Sequence, residues 1–389
     1  MGAGTAIGAV VPLAAATTAT ATAAQAAPRP IPVPEAARRS LRGGRLLVER
    51  TEFRLNSLAV SWQGPAAQVR WRTANGWSAW TTVVEDCAGG RGDVATGAEE
   101  RTRSARLSAP AAEGYEVWVA GEGTAQVTEL GTVDASASAL AVAAPADSMP
   151  LPGGGSCPVP YFSRAAWGAD ESLRFDPDTG DELFPPTYYP VQTITVHHEG
   201  GGVNNHPDPA GTIRTIYYDQ TITKDWGDIG YHLVIDEAGR VYEGRWTGTD
   251  GVPVFGGVPG PDGRPQMATA AHAEGWNSGN IGICLLGDFT SQLPTAAARE
   301  ALTTVLASLA RVCQLDPRAV VNFVNPVSGA TRTVQSIPGH RDWNVTQCPG
   351  DLFYPQLPSL REDVAARLQT GIPRRPTGPG TGTGPIPRR

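Results

Sequence analysis

The side chains best suited to chemistry are few: six histidines, at 197, 198, 206, 232, 272 and 340, and five cysteines, at 87, 157, 284, 313 and 348. Cys348 follows His340 by eight residues (348 − 340 = 8) in the run Pro338-Gly339-His340-Arg341-Asp342-Trp343-Asn344-Val345-Thr346-Gln347-Cys348-Pro349-Gly350. Proline and glycine at both ends can fold that run back on itself and bring an imidazole and a thiolate to one centre. Two histidines and one cysteine hold a zinc ion while keeping a fourth position open for water, which is the arrangement of a catalytic rather than a structural site. The remaining donor should come from a rigid strand, and His197 ends the β-branched run from Val191 to His198. The competing use of Cys348 is a disulfide, because five cysteines in an oxidising compartment leave room for two bridges and one thiol.

The elements that must position these residues lie in the second half of the chain. Val191 to His198 reads as a strand, and Asp208-Pro209 as the N-cap and first residue of a helix whose apolar face holds Ile213, Ile216 and Tyr217. Tyr231 to Ile235 and Arg240 to Glu243 form a hairpin around Asp236-Glu237-Ala238-Gly239, and Ile281 to Leu286 is another apolar strand. A helix runs from Thr295 to Gln314 with Leu302, Val305, Leu306, Leu309 and Val312 on one side. A last helix starts at the capping box Ser359-Leu360-Arg361-Glu362, presents Leu360, Val364 and Leu368, and ends at Gly371. Strands interleaved with helices, plus one tight hairpin, predict an α/β domain at 158–369 with a mixed central β-sheet flanked by helices.

Upstream, short alternating runs such as Leu58 to Trp62, Val69 to Arg72 and Tyr115 to Val119 predict a small all-β domain at 51–134. Trp71, Trp77, Trp80 and Trp118 either fill its core, the commoner use of tryptophan on half-buried strands, or offer a sugar-stacking face. Residues 28–50 read as a Pro/Arg-rich stretch, 135–157 as an Ala/Ser/Pro/Gly linker and 370–389 as a disordered Pro/Gly tail. Because every motif follows the linker, the β unit is expected to be an accessory domain, dispensable for chemistry. Residues 1–27 carry no charged side chain, and the apolar run Ala6 to Ala16 followed by Ala24-Gln25-Ala26 reads as a signal segment lacking the usual basic start. A secreted, wall-associated protein acting as a monomer is the expectation. The net charge of −7 leaves no basic footprint for phosphates, which excludes nucleic acid as a partner. No later run approaches the about 20 apolar residues of a transmembrane span.

Four motifs occur in order: Thr195-Val196-His197-His198; Trp226-Gly227-Asp228-Ile229-Gly230-Tyr231-His232; Ala271-His272-Ala273 with Asn277 and Ile281-Gly282-Ile283; and the Gly-His-Arg to Cys-Pro-Gly segment at 339–350. Together they resemble the peptidoglycan recognition protein and bacteriophage-type amidase family, over about Pro158 to Leu368. The resemblance implies a zinc-dependent N-acetylmuramoyl-L-alanine amidase acting on peptidoglycan, with Zn2+ held by His197, His340 and Cys348 and with Tyr231 as the catalytic tyrosine. Family members expected to bind without cleaving lack the cysteine, which is present here. Thr346 stands where some members carry lysine, and its hydroxyl, like that of Tyr231, can donate to a developing oxyanion.

Two departures stand out. Glu199 follows the histidine pair where Ser or Thr is usual, and the Gly/Pro-rich stretch Thr247 to Pro265 is longer than the family's. Period two sends His198 to the face opposite His197, as a packed core residue. His232 and His272 suit a groove wall or a structural role, His206 a loop, and Trp226 and Trp246 either the groove or buried packing.

Overall fold

The computed structural model describes residues 35–84, 90–93, 103–109, 112–131 and 144–370, all within one compact unit, Pro32–Arg389. The expected signal segment at 1–27, Cys87 and the tail beyond 370 lie outside the described residues.

The N-terminal region is an antiparallel seven-stranded sheet built on the long strand Gly114–Gly131, which pairs with Glu35–Val48, Ser57–Gln63 and Ala67–Thr73. Arg103–Ser108 extends it beyond Ser57–Gln63. Alternate residues Leu58, Val60 and Trp62 turn inward against Val69, Tyr115, Val117 and Val127. Two features go beyond the composition and the strand pattern. Most of the Pro/Arg-rich stretch is a strand, because its backbone pairs with the long strand even though few of its side chains, Leu41 and Val48 among them, are apolar and buried. Of Trp71, Trp77, Trp80 and Trp118 only Trp71 packs, part-buried, against the core; none is fully buried, and the buried tryptophan of this sheet is Trp62. Trp77 and Trp80 lie instead under the Arg70 guanidinium, 4.8 and 4.9 Å from the ring centroids.

The second half of the expected linker is also structured. Met149–Leu151 pairs with Gly155–Cys157, and Met149, Leu151 and Cys157 are buried in the main core. Three spaced apolar residues suffice there because the neighbouring domain supplies the rest of the packing.

The central sheet is mixed, as the interleaved pattern predicts. Its order is Tyr161–Phe162, Val241–Glu243, Leu233–Ile235, Asn280–Leu285, Thr193–His198. The last two are parallel, and Leu233–Ile235 runs antiparallel to Val241–Glu243. On one face Ile194, Val196, Leu233, Ile235, Ile281 and Ile283 pack under the helices Ala296–Cys313 and Leu357–Thr370. The opposite face holds Val234, Tyr242 and Cys284 under the helix Pro209–Tyr218, whose N-cap Asp208 accepts from the Gly211 N–H. The outer edge of Thr193–His198 is covered by 336–339: Ile194 N–H donates to Ser336 O and Val196 N–H to Pro338 O, both at 2.9 Å.

The last helix begins at Leu357, after a 3-10 turn at Tyr354–Gln356, and the Ser359 hydroxyl donates back to Gln356 O instead of capping. An unanticipated hairpin, Val320–Val324 with Thr331–Gln335, packs Phe323 and Val334 against Trp343 and Ala273. Cys157, Cys284, Cys313 and Cys348 are buried and none is bridged, so the expected disulfides are absent among the described residues. Burial pushes the Cys157 thiol up to about 11 and the Cys313 thiol to about 12, so both behave as small apolar side chains. No helix among the described residues is long and apolar enough to cross a membrane.

Candidate metal centre

Period two on the 193–198 strand decides which histidine serves the site. His197 points to the face that carries Cys284, while His198 turns to the other, where its Nδ1 accepts the Phe289 N–H at 3.1 Å. The segment covering the strand edge then delivers His340 directly beside His197, with ring centroids 4.5 Å apart. Cys348 returns to the same place, its Sγ 3.6 Å from His197 Nδ1. Donor atoms of His197, His340 and Cys348 all lie within 4.8 Å of one another, and all three side chains are buried.

The hydrogen bonds assign the tautomers. His272 Nε2–H donates to Asn280 O at 2.8 Å, which leaves His272 Nδ1 as the acceptor for His197 Nε2–H at 3.0 Å. His197 Nδ1 therefore carries a lone pair toward Cys348. His340 Nε2–H donates to Asn344 Oδ1 at 3.2 Å, and its Nδ1 is buried with no hydrogen-bond partner. An orphaned buried imidazole nitrogen beside a second lone pair and a thiol is costly unless something binds them together. Two imidazole nitrogens, a sulfur and an outward N–H anchored on each ring form a donor set that could hold a metal ion.

His272 fits only because residue 282 is glycine: a Cβ there would stand 2.4 Å from His272 Cγ. Burial, then the neighbouring His197, holds His272 well below its usual pKa, keeping it a neutral relay. His232 is neutral for a similar reason, pushed down by burial to about 4, with Nε2–H donating to Ala268 O and Nδ1 accepting from Gly282 N–H. Both rings that were open between groove and structure support the sheet and the centre.

Tyr231 is buried, with its ring centroid 5.4 Å from that of His197. Its loop is pinned by Asp228, which accepts from Arg164 at 3.0 Å, Arg245 at 2.8 Å and the N–H groups of Ile229 and Trp246 at 2.8 Å. Burial opposes the charge on Asp228, but the two guanidiniums outweigh it and hold the carboxyl below the ordinary range. Thr346 is half-buried, and its hydroxyl oxygen accepts the Cys348 N–H at 3.1 Å, shaping the loop that carries Cys348.

The unusual Glu199 reaches the N-terminal sheet. Its carboxylate pairs with Arg106 of the 103–108 strand and with His206 Nε2 at 3.1 Å, while His206 Nδ1 pairs with Glu237. His206 is a loop residue, as expected, but its ring is clamped between two carboxylates. Asp228, Arg164, Asn280 and Asn344 were not singled out from sequence. The Asp228 motif and the Asn-x-x-Asn spacing of 277 and 280 carried some signal; Arg164 acts on a partner distant in the chain, whereas Asn344 lies four residues after His340 and was hidden only by its ordinary type.

The sheet order and the buried histidine–cysteine cluster define a mixed α/β protein with a candidate metal centre at a sheet edge. A model of the N-acetylmuramoyl-L-alanine amidase family matches residues 187–351, which contain all three clustered residues. Peptidoglycan recognition protein 1 of Bos taurus is 30% identical over 193 residues, covering 49% of this chain and 79% of the relative. The N-acetylmuramoyl-L-alanine amidase of Homo sapiens is 31% identical over 172 residues, 43% of this chain and 23% of that protein's length. Among solved structures, Drosophila peptidoglycan recognition protein SD is 24% identical, covers 51% of this chain and 93% of its own, and gives a TM-score of 0.37. The chain belongs to the family of peptidoglycan recognition proteins and N-acetylmuramoyl-L-alanine amidases.

Proposed function

We propose that the chain is an exported, zinc-dependent N-acetylmuramoyl-L-alanine amidase that hydrolyses the amide between N-acetylmuramic acid and L-alanine in peptidoglycan, acting as a monomer. The observation that carries this reading is the convergence of His197 Nδ1, the orphaned His340 Nδ1 and Cys348 Sγ within the segment that matches the amidase family. When bound, zinc supplies Lewis-acid polarisation of the amide carbonyl and acidifies water enough for attack near neutral pH. His197 and His340, with Cys348, would hold the ion, the outer N–H groups of the two rings being fixed on His272 and Asn344. Tyr231 donates its hydroxyl proton toward the oxygen on which charge develops, and Thr346 is proposed as a further donor there. The relatives' names supply the substrate class: one is a peptidoglycan recognition protein, the other an N-acetylmuramoyl-L-alanine amidase.

Incubating the purified chain with peptidoglycan, with and without a chelator, tests this. Chelator-sensitive release of stem peptides bearing a free L-alanine amine is expected. Binding of peptidoglycan by the zinc-loaded chain without any release would replace the enzyme with a recognition protein.

A further inference from the structure

The turn 272–278 supports both ligand histidines. His272 accepts from His197, and Glu274 O accepts from Asn344 Nδ2 at 3.1 Å, the same Asn344 whose Oδ1 receives the His340 N–H. Within the turn, Asn277 Oδ1 accepts the backbone N–H groups of His272 and Ala273, each at 2.9 Å. Other polar groups of the turn meet the segment 90–93 of the N-terminal region. Asp93 Oδ1 accepts from Asn277 N–H at 3.2 Å, Ser278 N–H at 3.1 Å and Asn325 Nδ2 at 2.9 Å, and Asp93 Oδ2 accepts from Ser278 Oγ at 2.7 Å. Gly90 O accepts from Asn277 Nδ2 and Gly92 O from Gly275 N–H, both at 2.7 Å. Arg91 donates to Leu183 O at 2.8 Å, fastening the other side of the segment.

We propose that Asp93 is a positioning residue for the metal centre, by which the N-terminal region, through residues 90–93, holds the turn that orients His197 and His340. The inference rests on the reading of His197, His340 and Cys348 as a metal site. A carboxylate taking four donors from one turn and its neighbour is held by directional bonds. Without them the backbone N–H groups of Asn277 and Ser278 lose their acceptor, and the turn can slide relative to both imidazoles. Support of ligand histidines from outside the coordination sphere is worth about 10- to 100-fold in metal affinity.

The test uses the full-length chain loaded with Co2+, whose ligand-field and thiolate charge-transfer bands report the geometry of the site. Asp93→Ala is expected to alter those bands and to weaken Co2+ binding by about 10- to 100-fold. Asp93→Asn keeps an oxygen for Asn277, Ser278 and Asn325 and should restore both. A folded Asp93→Ala chain with unaltered bands and affinity would overturn the proposal. Should that variant fail to fold, hydrogen exchange on the unaltered chain decides: the Gly275, Asn277 and Ser278 amides should be protected, and exchange at free-loop rates would equally overturn it. An unaltered chain that takes up no Co2+ would instead remove the metal reading, while the exchange measurement would still decide the docking.

Discussion

Cys348 is where two uses of one thiol part. Cys348→Ser is expected to lose zinc and hydrolysis while keeping the fold, since a neutral hydroxyl is a far poorer donor than a thiolate and the described cysteines form no disulfide that the change could break. Zinc stoichiometry and product analysis check this, and a zinc-replete, active serine variant would end the ligand assignment. Tyr231→Phe should keep zinc and lose about 2.7 to 4 kcal/mol of transition-state stabilisation, measured as kcat on a soluble muropeptide. The three clustered residues were legible because their types and spacing restrict the chemistry. The relay through His272 was not, because it depends on a neighbouring strand's glycine and on which ring nitrogen carries a proton, and neither leaves a local pattern.

At the scale of elements, Glu199 joins the end of the 193–198 strand to the 103–108 strand. Its side chain is 2% exposed, and Arg106 and His206 overcome the burial that would otherwise neutralise it, holding its carboxyl down to about 2. Arg106→Ala would leave a buried carboxylate without its guanidinium and is expected to cost about 3 to 5 kcal/mol in denaturant unfolding, with Glu199→Thr in the same chain recovering most of the loss. Burial works against a charged His206, yet Glu199 and Glu237 raise it from 6.5 to about 10. A histidine raised in this way stabilises the fold fully below pH 6.5, and the contribution fades as pH climbs through about 10. The melting-temperature gap between the natural chain and His206→Gln should therefore narrow from pH 6 to pH 10, and a constant gap would contradict the charged clamp. The 191–198 strand was legible from its β-branched residues. The 320–335 hairpin was not, since it buries only Phe323 and Val334 and so lacks an alternating signature.

Across the whole molecule, the motifs cluster after the Gly-rich stretch as the sequence suggested, but the supports of the centre do not. Arg38 donates to Ile222 O, Arg106 meets Glu199, and 90–93 dock on the 272–278 turn. A chain starting at residue 144 keeps the buried 149–157 hairpin and should fold, yet bind zinc more weakly than the full chain; equal zinc affinity and equal kcat/KM would make the β region the dispensable accessory that the sequence alone suggests. The edge cover at 336–339 has a consequence in time. Synthesis runs from the N-terminus, so the 193–198 strand exists well before the segment that closes it. Until residues 336–348 arrive, the amides of Ile194 and Val196 lack their partners and His197 is the lone donor of three. Sealing a sheet edge that could otherwise recruit another chain and completing the candidate metal centre are thus a single event. A half-made polypeptide would carry an open edge and an unfinished donor set together, and both would close with residues 336–348.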